Sequence, residues 1–179
     1  MNSMKKHWLI VFFIVLATVC LSCREKPGKP VQIDNTQLKE SLEKANRYLT
    51  NDEEEDIQGY ITRHRLDMVA TGTGMRYQII QHGNGRLIQP GQTVTMEYVL
   101  YNIMGDEVYS SENDGLMVFV VGCGDVVSGL DEAVRHLHQG DVAKVIVPSH
   151  LGYGLLGDQK NIPPRSPLVY SVRILKVEQ

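Results

Sequence analysis

The chain has 179 residues, with 18 Lys plus Arg against 21 Asp plus Glu and a formal net charge of −3. That length accommodates one domain with its own core plus an appendage, and an acidic balance without a basic patch excludes nucleic-acid binding. Of the cysteines, Cys20 and Cys23 sit near the N-terminus and only Cys123 lies further on, which excludes an internal disulfide framework; Cys123 is expected to be a small half-buried residue rather than a nucleophile.

The N-terminus has the plan of a targeting segment. Lys5 and Lys6 precede an apolar run from Trp8 to Val19, closed by Leu21-Ser22-Cys23. The run is shorter than the roughly 20 residues a membrane span needs and has the size of a signal-peptide core, so residues 1–22 are expected to be a signal peptide. A small residue followed by cysteine resembles the bacterial lipobox, which implies that Cys23 becomes the lipidated first residue. Cys20 departs from that pattern and leaves an ordinary cleaved signal or an uncleaved anchor open. Removal of Lys5 and Lys6 with the leader takes the formal charge from −3 to −5. Residues 23–33, with Pro27, Gly28 and Pro30 and no periodicity, are expected to form the tether.

A helical lead-in is expected over 34–70, as two helices. Leu38, Leu42, Ala45 and Leu49 share one face of the first, capped by Asp34, Asn35 or Thr36. In the second, Asn51 and Glu54 are spaced as a capping box and Asp52 to Asp56 crowd the first turn, where the helix dipole favours acids. Ile57, Tyr60, Ile61, His64 and Met68 trace its apolar stripe. Such stripes pack on the main domain or on a second copy of the chain. The acidic run reads as a solvated helix start.

Strands follow after Gly72 and Gly74. Met75 to His82 is the first, and Gln89-Pro90-Gly91-Gln92 turns into a long alternating strand. There Val94, Met96, Tyr98 and Leu100 share one face, and Thr93, Thr95, Glu97 and Tyr101 the other. Val108–Ser111, Leu116–Val121, Val142–Val147 and Leu168–Val177 are further strands. Between them Val126 to Asp141 reads as one short helix over Gly129–His138, with Ser128 as cap, Leu130, Ala133, Val134 and Leu137 as its apolar face, and Gly140 as its stop. An antiparallel sheet with one apolar face wraps around such a lone helix, which gives the α+β class.

Catalytic motifs of other kinds are missing. His136 and His138 are two apart on a helix and cannot converge on one ion; no metal site, nucleophile elbow, P-loop or dinucleotide fingerprint is present, and no cofactor is expected.

Three segments together carry a resemblance: Gly91-Gln-Thr-Val-Thr-Met-Glu-Tyr98, then Val126-Val127-Ser-Gly129-Leu-Asp-Glu-Ala-Val, then Val147-Pro-Ser-His-Leu-Gly-Tyr153-Gly154 with Ile162-Pro163-Pro164 and a terminal strand ending in Ile174-Leu-Lys-Val177. In this order and spacing, residues 75–179 resemble an FKBP-type peptidyl-prolyl cis-trans isomerase. The resemblance implies an FKBP-like domain over 73–179, a twisted antiparallel sheet wrapped around one short helix and preceded by a helical N-terminal segment. With its leader, the chain also resembles the gliding-motility-associated isomerase lipoproteins of Bacteroidetes.

X–Pro bonds isomerise over a barrier of roughly 18–20 kcal/mol, because the amide loses resonance when twisted. No bond breaks, so an apolar, water-poor pocket and a few donors for neighbouring carbonyls are sufficient. The resemblance assigns catalytic positions to Tyr98, Val127 (through its backbone N–H) and Tyr153, and pocket walls to Val108, Tyr109, Met117, Val126, Leu130, Ile162 and Tyr170. It also exposes departures. Val108-Tyr109 replaces a Phe-Asp pair, removing an aromatic wall and a buried acid; Glu112-Asn113-Asp114 lacks that acid's arginine partner. Leu130 replaces a floor tryptophan, and Met117 a phenylalanine. Loss of both ionic partners is self-consistent, since a lone buried charge is costly, and a more aliphatic pocket implies weaker activity.

The function expected is isomerisation of proline-containing polypeptide clients during folding of cell-envelope proteins. The place expected is a bacterial envelope, lipid-anchored and facing the periplasm from the outer membrane, with a homodimer through the lead-in as a further partner. The alternative is a non-catalytic, membrane-anchored chaperone or binding module of the same fold.

Overall fold

The computed structural model describes residues 35–179; the signal peptide, Cys23, the tether and the Asp34 cap lie outside the described residues. The chain divides into two compact units, Met1–Glu43 and Lys44–Gln179. In the first, Lys39 and Glu43 form an exposed i,i+4 ion pair at 4.0 Å.

The lead-in is one continuous helix, α1 (Asn35–His64), where two were expected. Asn51 and Glu54 are therefore interior positions. No Pro or Gly interrupts the helix before Gly59, and the Thr50 hydroxyl donates back to the Asn46 carbonyl at 2.8 Å, so that the capping-box spacing is absorbed in the helix. The helix ends in a Schellman arrangement: Arg65 takes φ 52°, its N–H bonds the Thr62 carbonyl, and the Leu66 N–H bonds that of Ile61. Met68 falls beyond the helix but still packs with its stripe.

The strands are β1 (Val69–Ala70), β2 (Arg76–Gln81), β3 (Thr93–Asn102), β4 (Glu107–Ser110), β5 (Met117–Val120), β6 (Val142–Val147) and β7 (Leu168–Glu178), with the four-residue helix α2 (Ser111–Asp114) between β4 and β5. They form one antiparallel sheet in the order β1-β2-β6-β7-β3-β4. The far edge of β3 is shared: its first residues pair with β5 and its last with β4. Alternation places Val94, Met96, Tyr98 and Leu100 inward from β3, and Leu168, Tyr170, Val172 and Ile174 inward from β7, all buried.

The inner face closes on α3 (Ser128–Val134). Leu130, Ala133, Val134 and Leu137 form its buried face as expected. The helix is shorter than Gly129–His138, because its last turn unwinds into single i,i+3 bonds from His136 and Leu137. Ser128 does not cap it: its hydroxyl donates to the Leu151 carbonyl at 3.1 Å. Asp131 accepts from the Gly122 N–H at 2.6 Å and pairs with Arg135. Gly129 is required here, since a Cβ would lie 2.4 Å from Val147 Cγ1 on β6. Cys123 is exposed, not half-buried.

The outer face carries a second, smaller core. Ile57 and Tyr60 of α1 are buried against Ile146 and Val169, with Ile61, Leu66 and Met68 alongside. The acidic run is correspondingly not a free helix start. Glu53 binds Ser149, and Glu54 binds the buried Arg76 guanidinium at 2.5 and 2.8 Å.

Candidate active site

Tyr98 marks the place where β3 changes partner. Register with β5 ends at Met96 and register with β4 starts at Val99. The gap is filled by Ser111, whose hydroxyl oxygen accepts from the Tyr98 N–H at 2.8 Å and whose O–H donates to the Tyr98 carbonyl at 3.0 Å. One serine side chain thereby replaces a missing strand residue, and the Tyr98 ring stays in the core.

Around that ring the fold gathers residues from separate segments. Tyr98, Leu130, Ile162 and Tyr170 are buried in one cluster, and Val108, Tyr109, Met117, Val126 and Val127 pack against it partly exposed. All expected pocket residues are brought together there, from strands, the turn before α3 and the long loop. Tyr153, 37 % exposed, stands outside this cluster at its rim.

The Tyr98, Tyr153 and Tyr170 phenols share one microenvironment. Burial is the largest cause raising each of their pKa values; Tyr153 adds to the rise at both Tyr98 and Tyr170. None of the three hydroxyls has a protein partner among the described residues, yet none is sealed from solvent. Three neutral phenol donors thus lie close together at this apolar cluster. Val127 adds a fourth: its carbonyl is taken by Leu130 and Asp131, while its N–H meets no acceptor among the described residues.

A residue that the sequence reading missed borders this space. Tyr109 donates its hydroxyl to the Asp158 carboxylate. The other carboxylate oxygen accepts the N–H groups of Lys160, Asn161 and Ile162 at 2.9, 3.0 and 2.7 Å. Burial pushes the Asp158 pKa up, but the Tyr109 hydroxyl and these N–H groups outweigh it and hold the acid at about 2. The pocket therefore does not lack an acid, as Val108-Tyr109 implied; the acid arrives from the loop. Gly157-Asp158 is a legible turn signal, but nothing local points to Tyr109, 49 residues earlier. Gly157 makes the turn feasible, with φ 65° and room for no Cβ, which would lie 2.1 Å from the Ile162 carbonyl oxygen.

Among the described residues, no group of His, Cys, Asp and Glu converges to hold a metal ion. What the arrangement offers is an apolar cluster with neutral donors at its edge, which suits a reaction that only twists an amide.

Residues 84–175 match the family of FKBP-type peptidyl-prolyl cis-trans isomerases. The chain is similar to FK506-binding protein 1 of Gibberella zeae, 35% identical over an alignment of 109 residues that covers 58% of this chain and 98% of that protein. A probable FKBP-type peptidyl-prolyl cis-trans isomerase FkpA of Neisseria meningitidis is 28% identical over 155 residues, 86% of this chain and 53% of that one. Among solved structures, FkpA from Escherichia coli aligns with TM-score 0.61 at 24% identity, covering 82% of this chain and 74% of that one. An isomerase from Pseudomonas syringae aligns at 0.64 and 21% identity, covering 74% and 96%; at that identity both speak for the fold alone. The family match, spanning half the chain and nearly the whole of a 35% identical relative, makes this protein a member of the FKBP-type peptidyl-prolyl cis-trans isomerases.

Proposed function

We propose that the isomerase works on proline-containing segments of cell-envelope proteins, at the pocket bounded by Tyr98, Val127 and Tyr153. The carrying observation is that the three phenols and the Val127 N–H, none hydrogen-bonded among the described residues, gather at one apolar cluster. An X–Pro amide entering it loses water from its polar planar form, so the less polar twisted form is favoured relatively. Donation from the Val127 N–H and Tyr153 to flanking carbonyls holds the chain on either side of the bond while it rotates. Val108, Met117, Val126, Leu130, Ile162 and Tyr170 supply the walls, and the aliphatic floor at Leu130 grips proline less than an aromatic ring.

The test uses Leu-Pro and Phe-Pro peptides with residues 24–179. Tyr153→Phe deletes one hydroxyl, and Val127→Pro deletes the N–H at a residue whose φ of −58° already suits proline. Each is expected to lower kcat/KM by about a hundredfold, the lower end of the range for loss of one oriented donor. Unchanged turnover in both folded variants sinks this assignment.

The envelope setting rests on the leader, through lipidation of Cys23 at a bacterial outer membrane facing the periplasm. Palmitate labelling that persists in Cys23→Ala would rule the anchor out. The exposed Leu38 and Leu42 of α1 offer a face for a second copy, and a monomeric mass by light scattering would rule that out.

A further inference from the structure

We infer that the long helix is a working part of the isomerase, with Glu53 positioning the loop that carries Tyr153. The inference rests on the pocket reading above. The region matched to the family begins at residue 84, so α1 lies wholly outside it. Yet one of its side chains reaches the loop directly. The Ser149 N–H donates to Glu53 Oε1 and the Ser149 hydroxyl to Oε2, both at 2.6 Å.

Ser149 opens the 3-10 turn Ser149–Leu151 that launches the long loop. The turn's own bonds run from Leu151 to the Pro148 carbonyl and from Gly152 to that of Ser149. They leave the first N–H, that of Ser149, without an acceptor in the turn. Ser149 is 6 % exposed, and a buried orphan donor is costly. Glu53 supplies that acceptor from another element, with a charge-assisted bond. Onward, the Ser149 carbonyl accepts the N–H groups of Gly152 at 3.0 Å and Gly154 at 2.8 Å, the residues on either side of Tyr153. Tyr153 is therefore two hydrogen-bonded links from the helix.

The neighbouring acid provides the contrast. Glu54 binds Arg76, whose guanidinium also donates to the Gly74 carbonyl at 2.9 Å. That contact fastens the same helix to β2 and gives the loop no hydrogen bond of its own, although Gly74 packs beside Pro148. If α1 served only as a cover for the sheet, removal of either acid would have the same kind of effect. If Glu53 positions the loop, the two part company.

The experiment compares the full chain in detergent micelles with Glu53→Ala, Glu53→Gln, Glu54→Ala, Tyr153→Phe and the Glu53→Ala/Tyr153→Phe double variant, all assayed well below their unfolding temperatures. Glu53→Ala should lower kcat/KM by about tenfold, within the range that ångström-scale misplacement of a site group produces. Glu53→Gln, which still offers Ser149 an acceptor, should recover most of it. Glu54→Ala should unfold earlier because it strands a buried guanidinium, with kcat/KM in the folded state held within about twofold. The double variant should be no worse than Tyr153→Phe alone, since both act through one group. Should Glu53→Ala fail to fold, Ser149→Ala removes one of the two bonds and must itself lower kcat/KM. Unchanged turnover in folded Glu53→Ala, equal losses for both acids, or losses that multiply in the double variant each overturn the inference. An inert Tyr153→Phe beside a weakened Glu53→Ala would overturn the pocket role of Tyr153 and still support the link from helix to loop.

Discussion

Tyr109 on β4 donates its hydroxyl to the carboxylate of Asp158 in the long loop, closing strand and loop on each other beside the pocket. Asp158 in turn organises its own turn through three backbone N–H groups. One ionised side chain thereby ties Ile162, a proposed pocket wall, to the strand that carries Val108 and Tyr109. An acid on β4 is unnecessary in this arrangement and would be out of place.

Tyr109→Asp tests that directly. The substitution sets a second carboxylate against one that is held ionised, so it should lower both stability and turnover. Loss of a hydrogen bond to a charged acceptor costs about 1.5–3 kcal/mol before the repulsion is added. Urea denaturation should show the drop, and Asp158→Asn added to Tyr109→Asp should relieve part of it.

The same pair sets a pH window. Asp158 is depressed to about 2 from an ordinary 3.8, so the unfolded chain binds this proton more readily than the folded one. Its stabilisation is present above about pH 4 and drains away as pH falls toward 2. Tyr109 is raised above its ordinary 10, chiefly by the bond to Asp158. Its share is present below pH 10 and is lost as pH rises through the folded value. Urea midpoints measured from pH 2 to 7 should flatten at the acid end in Asp158→Asn; an unchanged acid slope would count against the pair.

Gly129→Ala should injure both core and site. Its Cβ would meet Val147 Cγ1 at 2.4 Å, so α3 must lift from β6 or Val147 must leave its rotamer. Overpacking of this kind costs about 1–3 kcal/mol. Because Val127 and Val126 lead straight into the helix, kcat/KM should fall along with the thermal midpoint. A variant that loses stability but keeps full turnover would separate the helix from the pocket.

The sheet was readable because its signal is local and periodic. Val94 to Leu100 and Leu168 to Ile174 carry an apolar residue at every second position, and the structure buries that set. The short helix was readable for the same reason, through Leu130, Ala133, Val134 and Leu137. Misreadings arose where a local rule met a distant partner. Asn51 with Glu54 has the spacing of a helix start, but Glu53 and Glu54 are committed to Ser149 and Arg76. Ser128 has the spacing of a cap, but the Leu151 carbonyl takes its hydroxyl. The Tyr109–Asp158 bond joins residues 49 apart and leaves no trace in either neighbourhood. Periodicity tells which way a side chain points; it does not tell what waits there.

Strand order has a consequence in time. β7, last in the sequence, does not lie at the margin of the sheet but between β6 and β3, paired with β3 from Thr93↔Glu178 to Asn102↔Leu168. Until those residues emerge, β3 and β6 each present an open edge and the sheet has a slot through its middle. Closure by pairings this far apart in sequence is slow, and open edges invite pairing with other chains. A polypeptide delivered from its N-terminus therefore stays unlocked until β7 has been made. Removing Leu168–Glu178 would split the sheet down the centre rather than fray its border.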